Sequence, residues 1–205
     1  MRRESSTVVG LVGEVDERFL ARLAQSPNVS VARAPAADPE SARPGWQAGA
    51  EAMREAARRR STYVLVPDDP LADVAAAWRA MWDLSGGPGA AAEFEARAAE
   101  LLAAWRDKRF ELPDYYLVLA GAAAEGTGPD LYLGPLRAVR PRRVALAATP
   151  GSPAAASGPA ARAASLLDTL RGLEHGPWWP PLDELIDVAR RFYAGGLTET
   201  QLMPA

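Results

Sequence analysis

STYVLVPDDPLADVAAAWRAMWDL, residues 61–84, joins two elements of different period at a pair of aspartates. TYVLV (62–66) is the most apolar run and is continuously so, which fits a strand buried on both faces of a parallel sheet. From Leu71 the apolar positions change to helical spacing, through Val74, Trp78 and Met81. Asp69 suits the N-cap of that helix and Pro70 its first turn. Asp68 has no such local role. It sits at the end of the strand, where an ionised carboxylate needs water, a donor or a metal.

Working outward, the same alternation recurs. TVVGLVG (7–13) reads as a strand and DERFLARLAQ (16–25) as a helix capped by Asp16. VSVARA (29–34) is a second, short strand. GWQAGAEAMREAARRR (45–60) then repeats Trp46, Ala50, Met53 and Ala57 at helical spacing. After the glycine break SGGPG (85–89), a long helix runs from about Ala90 to Lys108, with Phe94, Leu101 and Trp105 on one face. DYYLVLA (114–120) and RVALAAT (143–149) are the remaining central strands, and LYLGPL (131–136) reads as a further strand or hairpin arm. Helices carrying Ala163, Leu166, Leu167, Leu170 and Leu173, and then Pro181 to Gly195, close the chain.

This order predicts an α/β fold: a doubly wound, mostly parallel five-stranded sheet in Rossmann-like or flavodoxin-like order, with helices on both faces and a C-terminal helix. The chain reads as one domain, 1–205. It comprises a βαβαβα half (1–84), a long connecting helix (85–113) and a second half with the C-terminal helix (114–205).

Composition narrows the chemistry. The 205 residues carry a formal net charge of −3, with pI near 5.3, which argues against a dedicated nucleic-acid binder. Cysteine is absent, which removes disulfides and thiolate catalysis. His175 is the single histidine; it reads as a loop residue after a helix, and a two-histidine zinc site is impossible. No apolar run reaches the ~20 residues of a membrane span, and the N-terminus is too short in apolar residues for a signal peptide. The expectation is a cytoplasmic, alanine-rich protein without membrane contact.

In open α/β sheets ligands bind beyond the carboxyl ends of the strands. Here that end collects Glu14, Asp16, Asp38, Asp68 and Asp69. The opposite end collects Arg58, Arg59 and Arg60, and also Arg137, Arg140, Arg142 and Arg143. Helix dipoles account for such a bias, since helix N-termini favour anions and C-termini cations. The chemical alternative is that Glu14, Asp16 and Asp68 hold Mg²⁺ over a phosphate-bearing substrate, as catalytic or metal-binding carboxylates. Gly10 and Gly13, in GLVG, are candidates for a nucleotide turn, but the third glycine of the dinucleotide fingerprint and a GKS or GKT P-loop are missing. Ser152 lies outside a G-x-S-x-G elbow.

In the register of LVGEVDERFL (11–20) and YVLVPDDP (63–70) the chain resembles receiver-like domains, which place acids after strand one and an aspartate after strand three. Working receivers also use a lysine after the last strand, and ALAATPGS (145–152) offers none. The resemblance therefore implies a pseudo-receiver used for contacts rather than phosphotransfer, an analogy of fold only. Toprim-like spacing of a glutamate and an Asp-x-Asp is fitted poorly by Glu14 and DDPLAD (68–73).

GPWWPP (176–181) holds Trp178 and Trp179 between prolines, so the two indoles cannot easily face one core. One should pack beneath the C-terminal helix while the other anchors a partner, tryptophan being enriched at binding hot spots. The sequence thus points first to a non-catalytic regulatory or protein-interaction module with a protein partner and no cofactor. The alternative is a Mg²⁺-dependent enzyme on a phosphate-bearing or nucleotide substrate. A small-molecule or nucleotide binder without chemistry is a third class, and oligomeric state is not legible.

Overall fold

The structure, a computed structural model, describes residues 6–13, 15–36, 44–82, 89–119, 129–147 and 159–195. Five strands form one sheet: β1 (Thr7–Val12), β2 (Val29–Val31), β3 (Tyr63–Val66), β4 (Tyr115–Leu119) and β5 (Val144–Ala147). All neighbouring pairs are parallel. Parallel pairing requires crossovers, and the helices supply them. They are α1 (Glu17–Ala24), α2 (Gly45–Ala56), α3 (Ala72–Trp82), α4 (Ala90–Arg106), α5 (Pro129–Leu131), α6 (Arg137–Val139), α7 (Pro159–Arg171) and α8 (Leu182–Gly195). The doubly wound α/β class expected from the alternating pattern is the class observed.

The strand order is β2-β3-β1-β4-β5, neither of the two common orders named above. Burial gives the physical reason. In β3, Val64, Leu65 and Val66 are buried on both faces, which suits an interior place between β2 and β1. β2 has three residues and is only partly covered, as befits an edge strand.

Alternation along β1 and β4 divides the core between the two faces of the sheet. Val9 and Leu11 of β1 and Tyr115, Leu117 and Leu119 of β4 pack with Phe19, Leu20 and Leu23 of α1 and Leu166 and Leu170 of α7. Val12, Tyr116 and Val118 face the other way, toward Trp78 of α3, Phe94 and Leu101 of α4, and Leu182 and Ile186 of α8. Period-two side chains from one strand therefore feed two separate cores.

One expected element is corrected. LYLGPL is helical rather than extended: α5, a π-helical turn (Tyr132–Leu136) and α6 run on continuously. Tyr132 and Leu136, one turn apart, turn inward together and are both buried, a periodicity that six residues of sequence are too few to reveal. No helix among the described residues is long and apolar enough to cross a membrane.

Candidate functional site

The carboxyl end of β1 is flanked by β3 and β4, and α3, which follows β3, covers the opposite face from α1. That is the topological switch where α/β sheets place ligands. Glu14 and Asp38, and the segments following β4 and β5, lie outside the described residues.

Asp16 is the N-cap of α1. Its Oδ1 accepts from the Phe19 N–H at 2.7 Å, and Oδ2 lies 3.9 Å from Arg162 Nη1. Asp68 also has a donor: its Oδ2 accepts from the Ala34 N–H at 2.7 Å, tying the ends of β3 and β2 together. Asp73, the third acid of DDPLAD, accepts from the Gly45 N–H at 2.7 Å and so serves the start of α2. Each carboxylate clasps a backbone amide of another turn or segment, and backbone donors of this kind need such partners when water is excluded.

Asp69 does more than the cap expected of it. It does accept from the Leu71 N–H at 3.0 Å, in the manner of a cap. It is also buried, at 8% exposure. The Tyr116 hydroxyl donates to its Oδ1 at 3.0 Å and the Tyr132 hydroxyl donates to its Oδ2. Burial pushes the carboxyl up to about 6, against the pull of the Tyr132, Leu71 and Tyr116 donors, and the Asp73 charge adds to the rise. Both tyrosines are raised well above the ordinary phenol range, first by burial and then by the Asp69 charge, so they remain donors.

Gly10 makes this cluster possible. It pairs with Tyr116 across the sheet, and a Cβ there would stand 2.8 Å from the Tyr116 ring and 3.1 Å from Pro113. The ring lies over the glycine, so Gly10 is a packing position rather than a ligand turn. Gly13 has φ of 119°, which lets the chain turn at the end of β1 where side chains are strained. Among the described residues no three metal-capable side chains converge, and Asp16 and Asp68 are engaged on different segments.

The two tryptophans separate. Trp179 is buried and donates its indole N–H to the Pro113 carbonyl at 2.8 Å, so of the two candidate anchors it is the one packed into the core beside Leu182 and Leu185. Trp178 is 44% exposed. The Arg143 guanidinium lies over its ring at 4.7 Å, and over the Tyr115 ring at 4.8 Å.

The arginines before β5 do more than favour helix ends. Arg142 donates to the His175 carbonyl, Arg143 to those of Gly176 and Pro177, and Arg140 to that of Trp178. Four successive carbonyls are thus held by three arginines, and Arg143 also reaches the Asp114 carbonyl at 3.1 Å. Proline at 177 removes an amide from this segment, so its carbonyls need donors from elsewhere. The sequence shows the arginines and the Pro-Trp run but not their meeting, which spans more than thirty positions, as in the 34 between Arg143 and Pro177.

Set against protein-family models, curated proteins and solved structures, the chain matches none of them.

Proposed function

We propose that this protein is a regulatory or protein-interaction module without catalytic activity. The observation that carries the reading is the engagement of Asp16, Asp68, Asp69 and Asp73, each of which accepts a hydrogen bond from a donor of its own chain. A catalytic base or a Mg²⁺ ligand must be open to substrate or ion. Asp16, Asp68 and Asp73 each commit one oxygen to joining turns or segments, and Asp69 is inside the core. The exposed Trp178, held by its neighbours, supplies the kind of surface aromatic that protein partners use. A cytoplasmic place and a protein partner belong to the same reading.

A thermal-shift panel with Mg²⁺, Mn²⁺ and common nucleotides, on the wild type and on Asp68→Asn, tests it. A ligand at ~100 times its Kd adds about 2.7 kcal/mol, or roughly 5–10 °C for a chain of this size. The module reading expects a flat panel with a cooperative melt. A shift of that order overturns it, and loss of the shift in Asp68→Asn would assign the ligand to the acids at the strand ends.

A further inference from the structure

Several arginines among the described residues sit in ion pairs, as Arg59, Arg97, Arg109, Arg171 and Arg190 do. The run 137–143 departs from that habit. Arg140 and Arg143 bond carbonyls. Arg142 meets one carboxylate, that of Glu174, in an exposed pair. Arg137 is exposed, three positions before Arg140 at the end of α6, and pairs with no carboxylate among the described residues. Carbonyl acceptors orient a guanidinium without cancelling its charge, so this corner stays positive on a chain whose formal charge is −3.

Beside that charge stands a pre-positioned aromatic. The Trp178 ring is stacked on Arg143, its carbonyl is held by Arg140 at 2.5 Å, and prolines precede Trp178 and follow Trp179. An anchor already ordered in the free protein loses little conformational entropy when it is covered.

We propose that this corner receives an acidic peptide segment of a protein partner. An apolar side chain of the segment packs on the Trp178 ring, and its carboxylates meet Arg137, Arg140 and Arg142. Planar guanidinium forks suit carboxylates, and opposite charge around an apolar anchor supplies encounter rate and register. The proposal rests on the interaction-module reading and adds to it the chemistry of the partner.

The test is fluorescence anisotropy with a short fluorescein-labelled peptide of alternating glutamate and leucine, against glutamine–leucine and lysine–leucine controls. Saturable binding of the acidic peptide is expected, weakened about tenfold by Arg137→Glu and about tenfold by Trp178→Ala. Arg58→Glu, at a separate basic run, should stay within about twofold of wild type. Each variant is melted first; Arg137 is exposed, so Arg137→Glu keeps the test decisive if Trp178→Ala does not fold. The proposal is overturned if the acidic peptide fails to saturate, or if Arg58→Glu weakens it as much as Arg137→Glu does. A single-stranded oligonucleotide that binds the corner as tightly would overturn it too. Failure here with a flat metal and nucleotide panel removes the acidic partner and leaves the module reading standing; a shifted panel removes the module reading itself.

Discussion

Replacing Asp69 with asparagine keeps the shape of the buried cluster and removes its charge. In the fold this carboxyl is carried from its ordinary 3.8 to about 6, chiefly by burial. At about 1.36 kcal/mol per pH unit, the ionised fold is then about 3 kcal/mol less stable than the protonated one. The direction follows from proton binding. The folded protein holds this proton more tightly than the unfolded chain, so the group's stabilisation is fully present below about 3.8. It is lost as the pH rises through about 6, and above that it is flat. Asparagine has no proton to lose. Its side-chain oxygen can still accept from the Leu71 N–H and the Tyr116 hydroxyl, while its amide faces Tyr132. Urea denaturation of both proteins from about pH 4 to about pH 7.5 isolates the effect, because the other carboxylates are common to both. The stability of wild type relative to Asp69→Asn should fall by about 2–3 kcal/mol across that range, or roughly 5–10 °C in Tm. Tyr132→Phe, which removes a donor to the ionised form, should move the midpoint higher still. A wild type and Asp69→Asn with parallel pH profiles would refute the buried-carboxylate account.

Two other substitutions test the packing that builds the corner and the cluster. Gly10→Ala places a methyl 2.8 Å from the Tyr116 ring, so the ring must shift and loosen its bond to Asp69; a loss of about 1–3 kcal/mol is expected in urea denaturation, and an unchanged midpoint would mean the ring yields freely. Arg143→Lys replaces a planar fork that holds three carbonyls and contacts two aromatic rings with a point charge. It should cost about 2–3 kcal/mol and increase exposure of Trp178 to an aqueous quencher, whereas a change under about 0.5 kcal/mol would show that the clasp is dispensable.

The fold class was legible because hydrophobic period is local. Continuous apolar runs such as YVLV and helical spacing such as Leu71, Val74 and Trp78 are set by neighbours in the chain, and the structure buries all three of those residues. Local stereochemistry also placed Asp16 as a cap, which the Phe19 N–H bears out. Composition limited the chemistry for the same reason, since it needs no geometry: a chain without cysteine forms no disulfide.

The strand order and the work done by each acid required distant segments to meet. The local sequence marks Asp69 as a cap before Pro70 but does not show that it is the buried one of the pair. Tyr116 lies 47 positions away and Tyr132 63, and they bury one aspartate while its neighbour takes the Ala34 amide. Trp178 and Trp179 are likewise equivalent on paper. They part because the Pro113 carbonyl accepts from one indole inside the core and Arg143 stacks beneath the other at the surface. Burial and hydrogen-bond partnership are properties of the assembled chain, so the local pattern settled the fold class and its elements, LYLGPL excepted, and packing settled which of their polar side chains stay exposed.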